Sequence, residues 1–207
     1  MRIVAITPNA EQLVVYCARV SNPANQGNHA TGRRLLRYLI EHGHWSPFEM
    51  VHATLEITTS RAIARQILRH RSFAFQEFSQ RYATVASDVT AIELRAQGAA
   101  RQGSDGDAPM ARDDLAQRVA DHMVATQALY ADLVAAGVAY ESARMVLPEA
   151  TQTTMYMAGS LRSWIHYLQL RCASSTQLEH RRVAIACRAV LAAELPVIAE
   201  ALDWETR

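Results

Sequence analysis

The sequence predicts a single α+β domain. Its 207 residues suffice for one sizeable core, half of them are apolar and a fifth are charged. Stretches with helical spacing outnumber stretches with strand alternation, and the two do not follow one another in a regular βαβ order. No internal repeat or strong boundary divides the chain, so one domain over 1–207 is expected.

The elements follow in order. "RIVAIT" (2–7) reads as a strand ended by Pro8. Leu13, Val14, Cys17 and Val20 give helical spacing over 10–21, and "NPANQGNHATG" (22–32) is a loop. A helix over 33–43 stops at Gly43. "HWSPFEM" turns into a strand over 51–59, where Val51, Ala53, Leu55 and Ile57 mark one buried face. Ser60 caps a helix over 60–70. "SQRYATV" reads as a short strand, and 96–109 as a mobile loop holding three of the chain's eight glycines. A long amphipathic helix spans 111–137 and ends at Gly137. "TQTTMYMAGS" (151–160) suits a strand or buried chain, and helices follow over 161–172 and 176–195.

Composition narrows the chemistry. Net charge is +1, so any affinity for anions must be local. All 21 basic residues are Arg. Without Lys there is no Schiff-base chemistry and no phosphate-loop lysine. Arginine positions and stabilises anions but is a poor proton donor or acceptor. Cys17, Cys172 and Cys187 form no CxxC pair, which supports neither a zinc site nor a disulfide framework. No apolar run is long enough to span a bilayer, and the apolar stretch of "MRIVAITPNAEQ" is too short for a signal peptide, so a cytoplasmic protein is expected.

Positive charge concentrates in "RHRSFAFQEFSQRY" (69–82). Arg61 and Arg65 fit a solvated helix stripe. Arg69, His70 and Arg71 stand at a predicted helix end, where cations either complement the helix dipole or hold a ligand. Glu77, Ser79 and Arg81 are spaced by two, so an extended chain would aim them the same way. A hydroxyl and a guanidinium on one edge make a phosphate clamp, or an ordinary surface strand. Two other classes compete. Phe73, Phe75, Phe78 and Tyr82 among arginines could stack nucleic-acid bases, although the low net charge opposes that. His42, His44, Glu49 and His52 could hold a hydrolytic metal, although their spacing fits no standard zinc pattern.

The stretch 69–82 resembles the signature of the flavin-dependent thymidylate synthases: Arg-His-Arg, seven residues, Ser, with Glu two before that Ser and Arg two after. "ARVSNP" (18–23), "HGHWSPFEM" (42–50), "ARMVLP" (143–148) and "LRSWIHYLQLR" (161–171) resemble the family's other blocks, in the family's order. The resemblance implies a small, mostly antiparallel sheet packed with long helices and assembled as a homotetramer with shared active sites. It implies reductive methylation of dUMP to dTMP with FAD as cofactor, and with 5,10-methylenetetrahydrofolate and NADPH as co-substrates. No nucleic acid, membrane or metal is implied.

Residue by residue, the resemblance assigns dUMP to Gln66, Arg69, Glu77, Phe78, Ser79, Gln80, Arg81, Arg144 and Arg171. It assigns FAD to His44, Ser46, Arg69, His70, Arg71, Glu77, Ser160, Arg162 and His166. Arg171 is the expected catalytic residue, facing the uracil ring as negative charge spreads into it. Ser79 is expected to donate to phosphate rather than attack, since no base adjoins it. Three places depart from the family pattern: Ser160-Leu161-Arg162 in place of Asn-Ala-Arg, His166 in place of a common Asn, and Ser175 in place of a frequent His. On spacing alone His166 reads as a packed helix histidine. Cys17 and Cys187 read as packing residues, and Cys172, beside Arg171, as the one thiol placed for activation.

Overall fold

The computed structural model describes residues 1–84, 90–98 and 106–204. Four strands form one antiparallel sheet in the order β1-β2-β4-β3. They are β1 (Arg2–Ile6), β2 (His52–Ser60), β3 (Ala74–Glu77) and β4 (Gln152–Ser160). The segment 151–160, open to two readings in sequence, is thus a central strand. It pairs with β2 from His52↔Ser160 to Ser60↔Gln152.

The alternation in β2 sets the layers. Ala53, Leu55 and Ile57 are buried, as are Met155 and Met157 of β4, so one sheet face carries the core. Helices cover that face: α1 (Ala10–Ala18), α2 (Gly32–Glu41), α3 (Arg61–Ile67), α6 (Leu161–Arg171), α7 (Leu178–Glu194) and α8 (Pro196–Ala201). The long helix α4 (Asp113–Ala135) stands apart with the single turn α5 (Tyr140–Ala143), burying Tyr130 against Ala143 in a satellite cluster.

Both central strands end in a capping serine. Ser60 Oγ accepts from Ile63 N at 3.4 Å and starts α3, and Ser160 Oγ accepts from Ser163 N at 3.3 Å and starts α6. The strands are antiparallel, so the two helices leave from opposite ends of the pair. Arg61 N binds Thr151 O, whereas Leu161 N binds Val51 O.

Three expectations need correction. The first helix ends at Ala18, not 21. The Arg19 side chain is buried and ties down the following loop, donating to Asn28 O, to Asn25 O at 3.1 Å and to Thr31 Oγ1 at 2.7 Å. The edge strand is 74–77, and no strand forms over the described part of "SQRYATV". There Ser79 builds a turn: its Oγ accepts from Arg81 N and its carbonyl from Tyr82 N, both at 3.4 Å. Helix α8, begun by Pro196, was not foreseen. Glu11 caps it, accepting from Val197 N and Ile198 N at 2.8 and 2.9 Å. The loop expected over 96–109 lies in large part outside the described residues. Among the described residues no helix is long and apolar enough to cross a membrane.

Candidate functional site

Helices α3 and α6 enter from opposite ends of the β2–β4 pair, and their C-terminal ends meet. Arg69 and His70 lie in the turn after α3, and Arg171 closes α6. Arg171 Nε donates to His70 Nε2 at 2.9 Å. Cations at two helix C-termini are favoured by both dipoles, so the fold itself gathers positive charge here. Gln66, Arg69, Arg171 and Gln177 wall a cleft of about 840 Å³, with the chain at 93–97 on its far side. That volume suits a nucleotide-sized ligand.

The electrostatics of the cleft are one-sided. Burial, then the guanidinium of Arg171, then His166 and Arg69 push the His70 imidazole down to about 4. Its Nε2 already accepts from Arg171, so the neutral ring carries its proton on Nδ1. The ring packs edge-on against Tyr167 at 4.9 Å. Opposite, Glu93 and Glu179 hold Arg95, at 3.5 and 2.5 Å. Arg95 pairs with acid, whereas Arg69 and Arg171 line the cleft with no carboxylate partner among the described residues.

A second cleft, of about 380 Å³, opens beside α6 between Trp45, Ser72, Arg162 and His166. Arg162 pairs there with Glu49 at 2.8 Å. His166 is exposed on its wall rather than packed in the core, because its helical face is opposite that of Trp164 and Tyr167. Ser160 is buried and committed to its cap. His44 and Ser46 lie exposed on the turn after α2, where the His44 ring meets the edge of Tyr38 at 5.9 Å. His42 instead stacks on Tyr38 at 4.0 Å. No group of three or more metal-ligating side chains converges among the described residues.

The other expected nucleotide residues form a separate group. Glu77 accepts from Thr153 Oγ1 at 2.9 Å at the end of β3. Past the Ser79 turn, Arg81 approaches Glu141 of α5 at 3.6 Å, and Arg144 follows α5 in a 3₁₀ turn. Gln80 is buried, with neither carboxamide atom hydrogen bonded among the described residues. Phe78 and Tyr82 are exposed. Neither Ser79, Arg81 nor Arg144 lines the first cleft. Phe73 and Phe75 pack on the core, which removes half of the aromatic run considered for base stacking.

Some residues escaped the sequence reading: Arg95 and Gln177, which line the cleft, and Glu179 and His180, which stand behind it. Only His180 left a signal. It occupies the buried stripe of α7 with Val183, Ala184 and Cys187, where a histidine must find partners.

The fold and clefts define an α+β protein that gathers arginines at converging helix ends beside a cleft of nucleotide size. A family model described as "thymidylate synthase complementing protein" matches residues 2–197. The chain belongs to this family, the flavin-dependent thymidylate synthases. It is 47% identical to a flavin-dependent thymidylate synthase of a Synechocystis species, covering 94% of this chain and 90% of the relative. It is 46% identical to a protein of Paramecium bursaria Chlorella virus 1 named as a probable flavin-dependent thymidylate synthase, covering 94% and 91%. A crystal structure of the UMP/dUMP methylase PolB of Streptomyces cacaoi, bound with 5-Br dUMP, superposes with a TM-score of 0.83. That match has 28% identity and covers 98% of this chain and 93% of that one.

Proposed function

We propose that this chain converts dUMP to dTMP, with 5,10-methylenetetrahydrofolate as carbon donor, NADPH as reductant and FAD as cofactor, in the cytoplasm. The observation that carries the reading is the meeting of Gln66, Arg69 and Arg171 at one cleft, with Arg171 held by His70, in a chain 28% identical to a methylase crystallised with 5-Br dUMP. The relatives named as flavin-dependent support a flavin.

In this reading Arg171 faces the uracil ring. Ground-state uracil is neutral, while the ring gains negative charge as C5 becomes the carbon nucleophile. A guanidinium fixed before reaction stabilises that charge without reorganising. Cys172 is not set up to attack the ring: burial pushes its thiol up, which favours the protonated form. His70 keeps its proton on Nδ1 and presents no free nitrogen lone pair to a substrate, because Nε2 is taken by Arg171. It is a donor and not the base. Arg81 and Arg144, with Ser79, hold phosphate.

The residues beside α6 fit a flavin. Arg162, His166 and Ser72 offer donors for pyrophosphate and ring oxygens, and Trp45 an aromatic wall. FAD, when bound, supplies the reducing equivalents. A cleft of about 380 Å³ holds only part of a dinucleotide, so His44, Ser46, Arg69, Arg71 and Glu77 would come from the same and neighbouring chains. The separation of the Arg81–Arg144 group from the Gln66–Arg171 cleft also favours a homotetramer in which each site draws on several subunits. Gln80, buried with no hydrogen-bond partner among the described residues, fits a site completed by another chain or a ligand.

The test is direct. Purified protein should carry FAD absorbance and form dTMP from dUMP only when both methylenetetrahydrofolate and NADPH are present. A flavin-free protein that forms no dTMP after FAD is added refutes the proposal.

A further inference from the structure

His180 is fully buried, yet it is polar and hydrogen bonded at both ring nitrogens. Its Nε2 lies 3.2 Å from the hydroxyl of buried Tyr167, and its Nδ1 lies 3.1 Å from Gln66 Oε1. The chain of contacts continues into the cleft. Gln66 Nε2 donates to Gln177 Oε1 at 2.7 Å, and Gln177 Nε2 donates to Glu179 Oε2 at 2.9 Å.

The direction of this chain is fixed by its last member. A carboxylate only accepts, so Gln177 must turn its NH2 toward Glu179 and its oxygen toward Gln66. Gln66 must then offer its NH2 to Gln177 and its oxygen to His180. That oxygen needs a donor, so His180 carries its proton on Nδ1. The bare Nε2 accepts from Tyr167 O–H. Reversing either amide, or both, would set oxygen against oxygen, at Gln66–Gln177 or at Gln177–Glu179. Burial, followed by the nearby charge of Arg171, lowers the His180 ring to about 4, which keeps it neutral and compatible with this order.

We infer that His180 is a positioning residue: as the Nδ1–H tautomer it locks the Gln66 carboxamide so that a second N–H of Gln66 is presented to the nucleotide in the cleft. The inference rests on the proposed reading of that cleft as the dUMP site. Gln66 Nε2 has two protons and one protein acceptor among the described residues, so the other suits a carbonyl or phosphate oxygen of the ligand. His180 thus sets which end of the amide the ligand meets, and so favours a ligand acceptor over a donor there. It touches no ligand itself.

Two substitutions separate positioning from packing. In His180→Asn the new Nδ2 falls where the imidazole Nδ1 stood and keeps the donor toward Gln66. In His180→Gln the amide reaches the Tyr167 side instead and loses it. Calorimetry on the holoenzyme should show His180→Gln and His180→Leu weakening dUMP about tenfold, the size of one net hydrogen bond. His180→Asn should stay within about threefold of wild type. The dUMP KM should follow the same order while the rate at saturation holds. His180→Asn binding as weakly as His180→Leu overturns the inference, as does His180→Leu binding like wild type. Nitrogen-15 NMR of wild-type holoenzyme needs no variant to fold: it should show the His180 proton on Nδ1. If dUMP binds and the proton sits on Nε2, the inference fails alone. If wild type binds no dUMP, the reading of the cleft fails and this inference with it.

Discussion

Arg171 donates its Nε–H to Nε2 of His70 at 2.9 Å, joining the end of α6 to the turn after α3. One edge of the guanidinium is thereby spent on protein, and its Nη groups are left for the cleft. Arg171→Ala should slow the chemical step by roughly a hundredfold, about 3 kcal/mol, even with nucleotide and folate saturating. Arg81→Ala and Arg144→Ala should chiefly raise the dUMP KM, because phosphate is charged in ground and transition states alike. Single-turnover oxidation of pre-reduced enzyme decides. Normal speed in saturated Arg171→Ala, with Arg81→Ala slow, would reverse the roles.

Acid should destabilise the fold in a defined window. His70 and His180 both fall from 6.5 to about 4, first through burial and then through Arg171. Between those values the unfolded chain binds more protons than the folded one, so stability rises with pH and is fully present above 6.5. It is lost as pH falls toward 4, with a slope approaching two protons. Urea unfolding across that range measures it. His180→Asn should remove one proton from the slope; an unchanged slope would show that the ring does not titrate this way.

Cys172 adjoins Arg171 in sequence, yet burial raises its thiol and keeps it protonated. Cys172→Ala should therefore keep turnover within about threefold of wild type, well short of the loss expected when a nucleophile is removed. Initial rates under saturation are sufficient. A fall of several orders of magnitude in a folded, dUMP-binding variant would make Cys172 the nucleophile.

Gly159 makes room for Phe73. A Cβ there would stand 2.5 Å from Phe73 Cδ1 and 2.7 Å from Cε1. That ring is backed by Trp164 at 4.9 Å and cannot swing away freely. Gly159→Ala should cost about 1–3 kcal/mol by denaturant unfolding. It should also weaken dUMP, because Phe73 N binds His70 O at 3.2 Å and transmits the shift to the Arg-His-Arg turn. Unaltered stability would mean that β4 gives way easily.

If sites are shared between subunits, the protein should sediment as a tetramer, and dilution to monomer should release FAD. An active, FAD-saturated monomer in analytical ultracentrifugation would remove the shared-site reading.

Much of this architecture was legible in the sequence because its determinants are local. Alternation in 51–59 fixed the buried face of β2, Ser60 announced the start of α3, and Gly137 marked the end of α4. What failed depended on contacts between distant residues. Nothing near Val20 shows that Arg19 will bury its side chain in the loop at 25–31 and stop α1. The spacing of Glu77, Ser79 and Arg81 suggested one straight edge. Ser79 instead turns the chain, its Oγ accepting from Arg81 N, and only the backbone decides that. The arginines at 69, 81, 144 and 171 were visible as a set, but their division into two groups was not. The place of His180 in an apolar stripe signalled that it needs partners, but not that these would be Tyr167 and Gln66 on other helices.

The serine-capped strands β2 and β4 also set the order in which the protein can come into being. They are joined lengthwise, and the helices they launch come together where His70 meets Arg171, 101 positions away. On a ribosome adding about 5–20 residues per second, His70 waits about 5–20 s for its partner to be made. Closing so long a loop makes the cleft a late event, won only when the central pairing is complete. Because the helix ends that carry Arg69 and Arg171 continue different central strands, peeling those strands apart would take the cleft with it. A nucleotide bound between the two helix ends would in turn hold β2 and β4 together, so substrate would guard the newly made chain against unfolding.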